Sequence, residues 1–135
     1  MRLLLVTCAV MLGVAATAAA ATPVRATMST SSTKPVVDTP WRYTITVKDR
    51  AGKPLVARVR LQVLRGTRVV GCWKRTAIVQ CSGATVGTFI VFTGKRTGTI
   101  RWHARYVGPK LTFQATVVTE MSSLKLRAPL KVQLP

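Results

Sequence analysis

Apolar and polar residues alternate along much of this chain, most clearly from Trp41 to Leu64. The segments WRYTITVK and ARVRLQVL each place an apolar side chain at every other position, with basic and hydroxyl-bearing residues between. Because successive strand side chains point to opposite faces, each segment predicts a strand with one apolar and one polar face. Asp49, Gly52 and Pro54 between them are typical turn residues. The pattern predicts a β-hairpin that needs a second sheet to cover its apolar face.

The rest of the chain carries the same kind of signal in shorter runs. Further strands are predicted at 68–73, 77–81, 88–93, 99–106, 111–118 and 124–134. Turn residues separate these runs about every 8–12 positions, and no window beyond the N-terminal leader has the 3.6-residue period of a helix. We therefore expect an all-β sandwich of about seven to nine antiparallel strands, with the apolar run at 88–93 as a central strand.

The N-terminus predicts a secretory signal peptide at 1–21. Arg2 precedes an apolar stretch, and a run of small residues with A-x-A sites follows it. A retained membrane anchor and a lipid on Cys8 are the alternatives. We expect a Ser/Thr/Pro-rich lead-in at 22–40, with a candidate first edge strand, and one immunoglobulin-like β-sandwich domain at 41–135.

Charge is the most unusual feature of the composition. The chain has 21 Lys and Arg against 3 Asp and Glu, a net charge of +18. Since only Arg2 lies in the predicted leader, the exported chain would keep 20 basic and 3 acidic residues, a net +17. This exceeds the net charge of about 2–8 that solubility of a small domain requires. It indicates an anionic partner outside the cell, such as a cell-wall polymer, and no motif indicates sequence-specific reading of nucleic acid.

The predicted hairpin would gather several of these cations on one outer face. The candidate polyanion-binding residues are Arg42, Lys48, Arg58, Arg60, Lys74 and Arg75. The first four share the polar phase of the hairpin, and the last two form a turn doublet, as do Lys95 and Arg96. Lys125 and Arg127 should line the outer face of the closing hairpin. The alternative is a solvated basic surface that only keeps strand edges from pairing.

Cys72 and Cys81 predict a structural disulfide. They lie on neighbouring predicted strands, and two cysteines in an exported chain are expected to pair. A redox pair would usually show C-x-x-C, and a zinc site would need more ligands than His103, the one histidine, can supply. We predict no metal and no cofactor.

Catalytic chemistry has little support in the sequence. No nucleophile or metalloprotease motif occurs, and the three acids are scattered singly. His103 is the one candidate general acid or base near neutral pH, and its strand phase predicts an exposed position. Trp41 and Trp102 share a phase with apolar neighbours and predict core positions. If one tryptophan is exposed for binding, we expect it to be Trp73, which lies beside Lys74.

The segment TVKDRAGKPLVARVRLQV resembles the B–C region of bacterial immunoglobulin-like (Big-type) domains. The matching pattern is V-x-D-x-x-G-x-P-[VL], here Val47, Asp49, Gly52, Pro54 and Leu55. VVDTPWRYTITV is similar to the entry to strand B of such domains, and FQATVV to their late strand before the closing hairpin. PWRYT is similar to the start of small secreted bacterial proteins of unknown function. The resemblance implies an immunoglobulin-like sandwich and little about activity. The inter-sheet disulfide of antibody domains is missing, because Cys72 and Cys81 are only nine positions apart.

These observations predict a secreted, non-catalytic extracellular binding or structural module that contacts anionic cell-surface polymers through a basic sheet face. One alternative is a small secreted enzyme, which would cluster polar residues at one end of the sandwich. The other is a cationic surface-active or nucleic-acid-binding protein. A polyanion binder would show a continuous basic surface.

Overall fold

Nine β-strands make up most of residues 24–135, the part of the chain that the computed structural model describes. They are β1 (Val24–Thr30), β2 (Pro40–Asp49), β3 (Val56–Arg65), β4 (Arg68–Lys74), β5 (Ala77–Gln80), β6 (Phe89–Thr93), β7 (Lys95–Arg101), β8 (Leu111–Val118) and β9 (Ser123–Leu130). A single turn of 3-10 helix, Ala104–Tyr106, follows β7. The predicted signal peptide at 1–21, with Cys8, lies outside the described residues.

The strands form two antiparallel sheets that face each other as a sandwich. One sheet has three strands in the order β1-β2-β7, and β1, from the predicted lead-in, lies at its edge. The other has six strands in the order β5-β4-β3-β8-β9, with β6 also beside β3. One edge of β3 is divided between β6 at residues 56–60 and β4 at residues 62–65, while β8 pairs with the other edge. This confirms the predicted all-β sandwich and its number of strands.

The core forms where the apolar phases of the two sheets meet. Trp41 and Tyr43 from β2 contact Phe113 from β8, with ring centroids 5.1 and 5.5 Å apart. Trp102 lies edge-on to Trp41 at 5.4 Å. Leu61 from β3 is fully buried in the same cluster. The alternating phases predicted for Trp41, Trp102 and the two long strands are therefore confirmed.

The predicted hairpin at 41–64 is wrong: β2 and β3 belong to different sheets. The turn begins as expected, with Asp49 accepting from the backbone N–H of Lys53 and with a 3.2 Å bond from Leu55 N–H to Val47 C=O. The backbone of Gly94 then lies between the two strands. Its N–H donates to Leu55 C=O at 2.9 Å and its C=O accepts from Val47 N–H at 2.7 Å. Gly94 thus takes the hydrogen bond that would have continued the hairpin, and the strands separate into opposite sheets.

Gly94 can occupy this place because it lacks a side chain. Its φ of +72° is unfavourable for other residues, and a Cβ there would lie 2.6 Å from Cβ of Pro54. Two strands meet at this residue, since β6 ends and β7 begins around it. The chain therefore passes between the sheets twice at one place, once at the β2–β3 turn and once at Gly94.

Several smaller predictions also change. β6 pairs only with β3, so the run at 88–93 is not a central strand. Lys95 and Arg96 begin β7 rather than forming a turn. His103 is exposed as predicted, but it caps the 3-10 helix, where its Nδ1 accepts from the backbone N–H of Arg105 at 3.0 Å. The strand predicted to continue to residue 106 therefore ends at Arg101.

Candidate polyanion-binding surface

The four cations expected on one face lie on two opposite faces of the sandwich. Arg42 and Lys48 project from β2 on the outer face of the three-stranded sheet, whereas Arg58 and Arg60 project from β3 on the outer face of the six-stranded sheet. Lys74 and Arg75 lie at the exposed β4–β5 turn. The structure therefore separates the predicted residues into three groups, because the hairpin that would have united them does not form.

Other cations join Arg58 and Arg60 on the six-stranded sheet. The register of β3, β8 and β9 sets Arg60, Thr116 and Lys125 in one row across the three strands. Gln62, Gln114 and Arg127 form the next row. Neighbouring strands are about 4.8 Å apart, so these six side chains form one continuous patch.

The patch is concave, and we call it the basic groove. It has a volume of about 400 Å³ and is lined by Arg60, Gln62, Gln114, Thr116, Lys125 and Arg127 together with shorter side chains at one end. The cations form its rim. Its floor is polar but buried: Gln62, Gln114 and Thr116 are only 1%, 4% and 5% exposed. Buried polar groups on the outer face of a sheet need hydrogen-bond partners, and here most of them have such partners.

A chain of hydrogen bonds crosses the floor of the groove. Gln62 Nε2 donates to the carbonyl oxygens of Ala84 and Val86 at 3.0 and 2.8 Å. Gln114 Nε2 donates to Gln62 Oε1 at 3.5 Å, and Arg127 Nε donates to Gln114 Oε1 at 2.9 Å. The groups at the two ends of this chain fix the direction of every bond in it. The backbone carbonyls of Ala84 and Val86 can only accept, and Arg127 Nε can only donate. The chain holds the guanidinium of Arg127 at the rim while its terminal nitrogens remain available as donors.

Phe89 supports the cations on the other side of the groove. Its ring lies on the outer face, with the guanidinium carbons of Arg58 and Arg60 at 4.8 and 5.0 Å from its centroid. Arg60 also donates from Nη1 to the carbonyl oxygen of Thr85 at 3.2 Å. Although Phe89 belongs to the apolar run that was expected as a central strand, it faces outward, because residue 89 is opposite Arg60 and shares its outward phase. A cation over an aromatic face is attracted by the ring quadrupole, so this stacking restrains both arginines.

The segment 81–88 covers one side of the groove and supplies the carbonyls that anchor Gln62 and Arg60. The predicted disulfide between Cys72 and Cys81 is present, with Cα atoms 6.0 Å apart, and it ties the start of this segment to β4. At the other end, Gly87 has a φ of +117°, and a Cβ there would lie 3.0 Å from Cγ of Arg60. Glycine therefore allows the segment to lie directly against β3.

The outer face of the three-stranded sheet is different. Between its cations lie hydroxyl side chains, and the Oγ1 atoms of Thr44 and Thr97 are 3.1 Å apart. Arg42 and Lys48 lie at opposite ends of this face, six residues apart along β2. Asp49 lines the shallow depression beside Lys48. This face is basic too, with Arg25 directly opposite Lys48 across β1 and β2. Among the described residues, however, the buried polar side chains all belong to the six-stranded sheet, so the cations here do not surround a buried polar floor.

Sequence reasoning missed the floor of the groove. Gln62, Gln114 and Thr116 carry no charge and occupy the phase that alternation assigns to solvent, so no pattern singled them out. Lys125 and Arg127 were assigned to an outer face, but not to the same surface as Arg60. The one sequence feature that could have indicated this floor is the presence of glutamines, Gln62 and Gln114, at outward positions of two long strands. Their pairing across β3 and β8 becomes visible only with the register.

Other sequence-predicted candidates lie away from the groove. Trp73 points away from Cys72, as its phase predicts, but it is 8% exposed and belongs to the core, so the prediction of an exposed aromatic there is wrong.

Among residues 24–135, no group of three or more His, Cys, Asp or Glu side chains could hold a metal ion. Within the same part of the chain, no helix is long and apolar enough to cross a membrane.

Comparison of the chain with family models, with curated proteins and with solved structures finds no match.

Proposed function

We propose that this chain is a non-catalytic extracellular module that binds anionic polymers through the outer face of its six-stranded sheet. The observation that carries the proposal is the basic groove, in which cations on β3 and β9 surround a buried polar floor on β3 and β8. Because a polyanion carries repeated negative groups, a row of cations binds it without reading a sequence and releases its counterions.

Restraint of the cations favours this face over the opposite one. Arg60 is held by Thr85 and Phe89, and Arg127 is held by Gln114. Side chains that are already ordered lose less entropy when a ligand binds, so they contribute more to affinity. Export is supported by the leader-like N-terminus of the sequence and by the Cys72–Cys81 disulfide, which is typical of oxidising compartments.

The test is the affinity of the mature chain for anionic and neutral dextrans at two salt concentrations. If about four cations contact the polymer, affinity for the anionic dextran should fall about a hundredfold between about 50 and 200 mM salt. The double variant R58E/K125E should weaken binding at low salt by about tenfold or more and flatten the salt dependence.

The matched control is R42E/K48E, which changes the net charge by the same amount with exposed residues of the other sheet. It should weaken binding by less than about threefold, because screening confines the effect of exposed charges to about 10 Å. Equal losses in the two variants would show that net charge, and not this face, determines binding. Affinity that does not change with salt would contradict the proposal altogether.

A further inference from the structure

We infer that the basic groove contains a discrete pocket for one tetrahedral oxyanion, the sulfate or phosphate ester group of a bound polymer. The inference rests on the proposed function and adds the class of anionic group. The pocket is centred on Thr116, which lies between Arg60 and Lys125 in the register of β3, β8 and β9. Arg127, two positions further along β9, completes it.

Two hydrogen-bonding groups at this point have no partner in the protein. Thr116 Oγ1 and Arg60 Nε are both buried, and neither finds a hydrogen-bond partner within residues 24–135. Their residues are directly opposite each other on β8 and β3. Burying such a group without a partner is costly, so two adjacent cases indicate a place where a ligand supplies the acceptor. Arg60 and Thr116 both line the groove, so a small movement of the side chains around them would open both groups to an anion bound there.

The number and direction of the donors favour a tetrahedral anion. Thr116 is part of the floor, Arg60 lies beside it on β3, and Lys125 and Arg127 lie on β9 at its other side. A carboxylate presents two oxygens in one plane. A sulfate or phosphate monoester presents three unsubstituted oxygens in a tripod, which can accept from the floor and from both sides together.

The hydrogen-bond chain through Gln62 and Gln114 positions the pocket. It uses Arg127 Nε, so the guanidinium is held by its inner edge and its terminal N–H groups remain for the anion. The same chain of hydrogen bonds uses the polar atoms of both glutamines. Of the three floor residues, Thr116 is therefore the one whose side chain has no hydrogen-bond partner among the described residues. The floor thus orients the arginine on one side and offers a neutral donor beside it.

The test uses three dextrans of equal charge density, bearing sulfate, phosphate or carboxymethyl groups. Wild-type protein should prefer one or both ester dextrans to carboxymethyl dextran, and the two ester polymers distinguish sulfate from phosphate. Thr116→Val removes the hydroxyl while keeping a β-branched side chain of similar shape. It should lower affinity for the preferred ester dextran by about tenfold or more and leave affinity for carboxymethyl dextran unchanged, because a hydrogen bond to a charged group is lost only in the first case.

Two further variants keep the result interpretable. Thr116→Ser retains the hydroxyl and should keep the preference. Thr99→Val changes the same residue type on the outer face of the three-stranded sheet, away from the groove, and should have no effect. If wild type and Thr116→Val bind all three dextrans alike, the pocket is refuted while the proposed function stands. If no dextran binds in a salt-dependent way, both are refuted.

Discussion

At the scale of single residues, the outer face of β3 departs from simple alternation. Gln62 is almost fully buried, although its phase points away from the core. A glutamine can occupy such a position because its amide both donates and accepts, and here it bonds to Ala84, Val86 and Gln114. Burial of polar groups with partners costs little and can fix a unique geometry. The groove floor is therefore a specific structural element and not an exposed strand face.

The burial of the inward-facing side chains of β3 leads to a prediction about the free energy of unfolding. Leu61 is fully buried among the aromatic residues of the core, so Leu61→Ala should lower the free energy of unfolding by about 2–5 kcal/mol. Urea denaturation would measure the change. Leu134→Ala is the control, because this leucine is 66% exposed and its truncation should cost less than about 0.5 kcal/mol. Similar costs at both positions would contradict the assignment of the core.

Tyr106 makes a prediction about alkaline pH. Burial raises the pKa of its hydroxyl above the ordinary value of 10.0, and nearby Arg105 opposes this shift. The folded protein therefore holds the phenolic proton more tightly than the unfolded chain does. This contribution to stability is present below pH 10 and is lost as pH rises through the folded-state pKa.

Tyr106→Phe should consequently lose less stability than wild type between about pH 9 and 11. At neutral pH the variant should be close to wild type, because the hydroxyl has no hydrogen-bond partner in the described chain. Urea denaturation across this pH range would measure both effects. Parallel pH profiles for the two proteins would show that Tyr106 does not contribute.

At the scale of elements, the segment 81–88 connects the disulfide to the basic groove. It carries the carbonyls that accept from Gln62 and Arg60, and its last residue, Thr88, donates to Trp73 C=O at 3.0 Å. The short strand β5 precedes it and pairs only with β4. The disulfide therefore constrains a segment that few ladder hydrogen bonds hold.

Replacing both cysteines by alanine should lower the free energy of unfolding by about 2–3 kcal/mol, the loop-closure contribution of a short disulfide loop. The amide of Thr88 should also exchange hydrogen faster, because its segment has lost an anchor, whereas the amide of Leu61 in β3 should change only with global stability. Titration of free thiols in the natively folded protein would contradict the disulfide itself.

At the scale of the whole molecule, charge repulsion opposes folding. Residues 24–135 contain 20 basic and 3 acidic side chains. Both outer faces of the sandwich are basic, so cations repel each other within each face. Raising NaCl from about 20 to 300 mM should screen this repulsion and raise the melting temperature by about 4 °C.

The R42E/K48E variant provides the comparison. It lowers the net charge by four, so its melting temperature should respond less to salt than that of wild type. Differential scanning calorimetry would measure both proteins. A melting temperature that does not change with salt would mean that repulsion among the cations does not lower the stability of the fold.

The sequence by itself determined most of the strands, though not the bounds of β7, and the inward or outward phase of the long strands. Strand periodicity is local, so Leu61 and Phe113 could be assigned to the core and Arg58 to the surface without knowledge of any partner strand. The spacing of Cys72 and Cys81, together with the alternation around them, was likewise sufficient to predict the disulfide. The resemblance to immunoglobulin-like domains indicated the sandwich, but none of these signals specified which strands lie side by side.

Lateral pairing was decided only by the tertiary structure. A tight turn between two strands normally gives a hairpin. Here the backbone of Gly94, forty residues away from Pro54 along the chain, replaces the bond from Val47 N–H to Leu55 C=O by bonding to both groups. The two strands continue into different sheets beyond this point, so Arg42 and Arg58 lie on opposite faces and β3 pairs with β8. The groove exists because β3, β8 and β9 share one register, and alternation within a strand contains no information about register between strands.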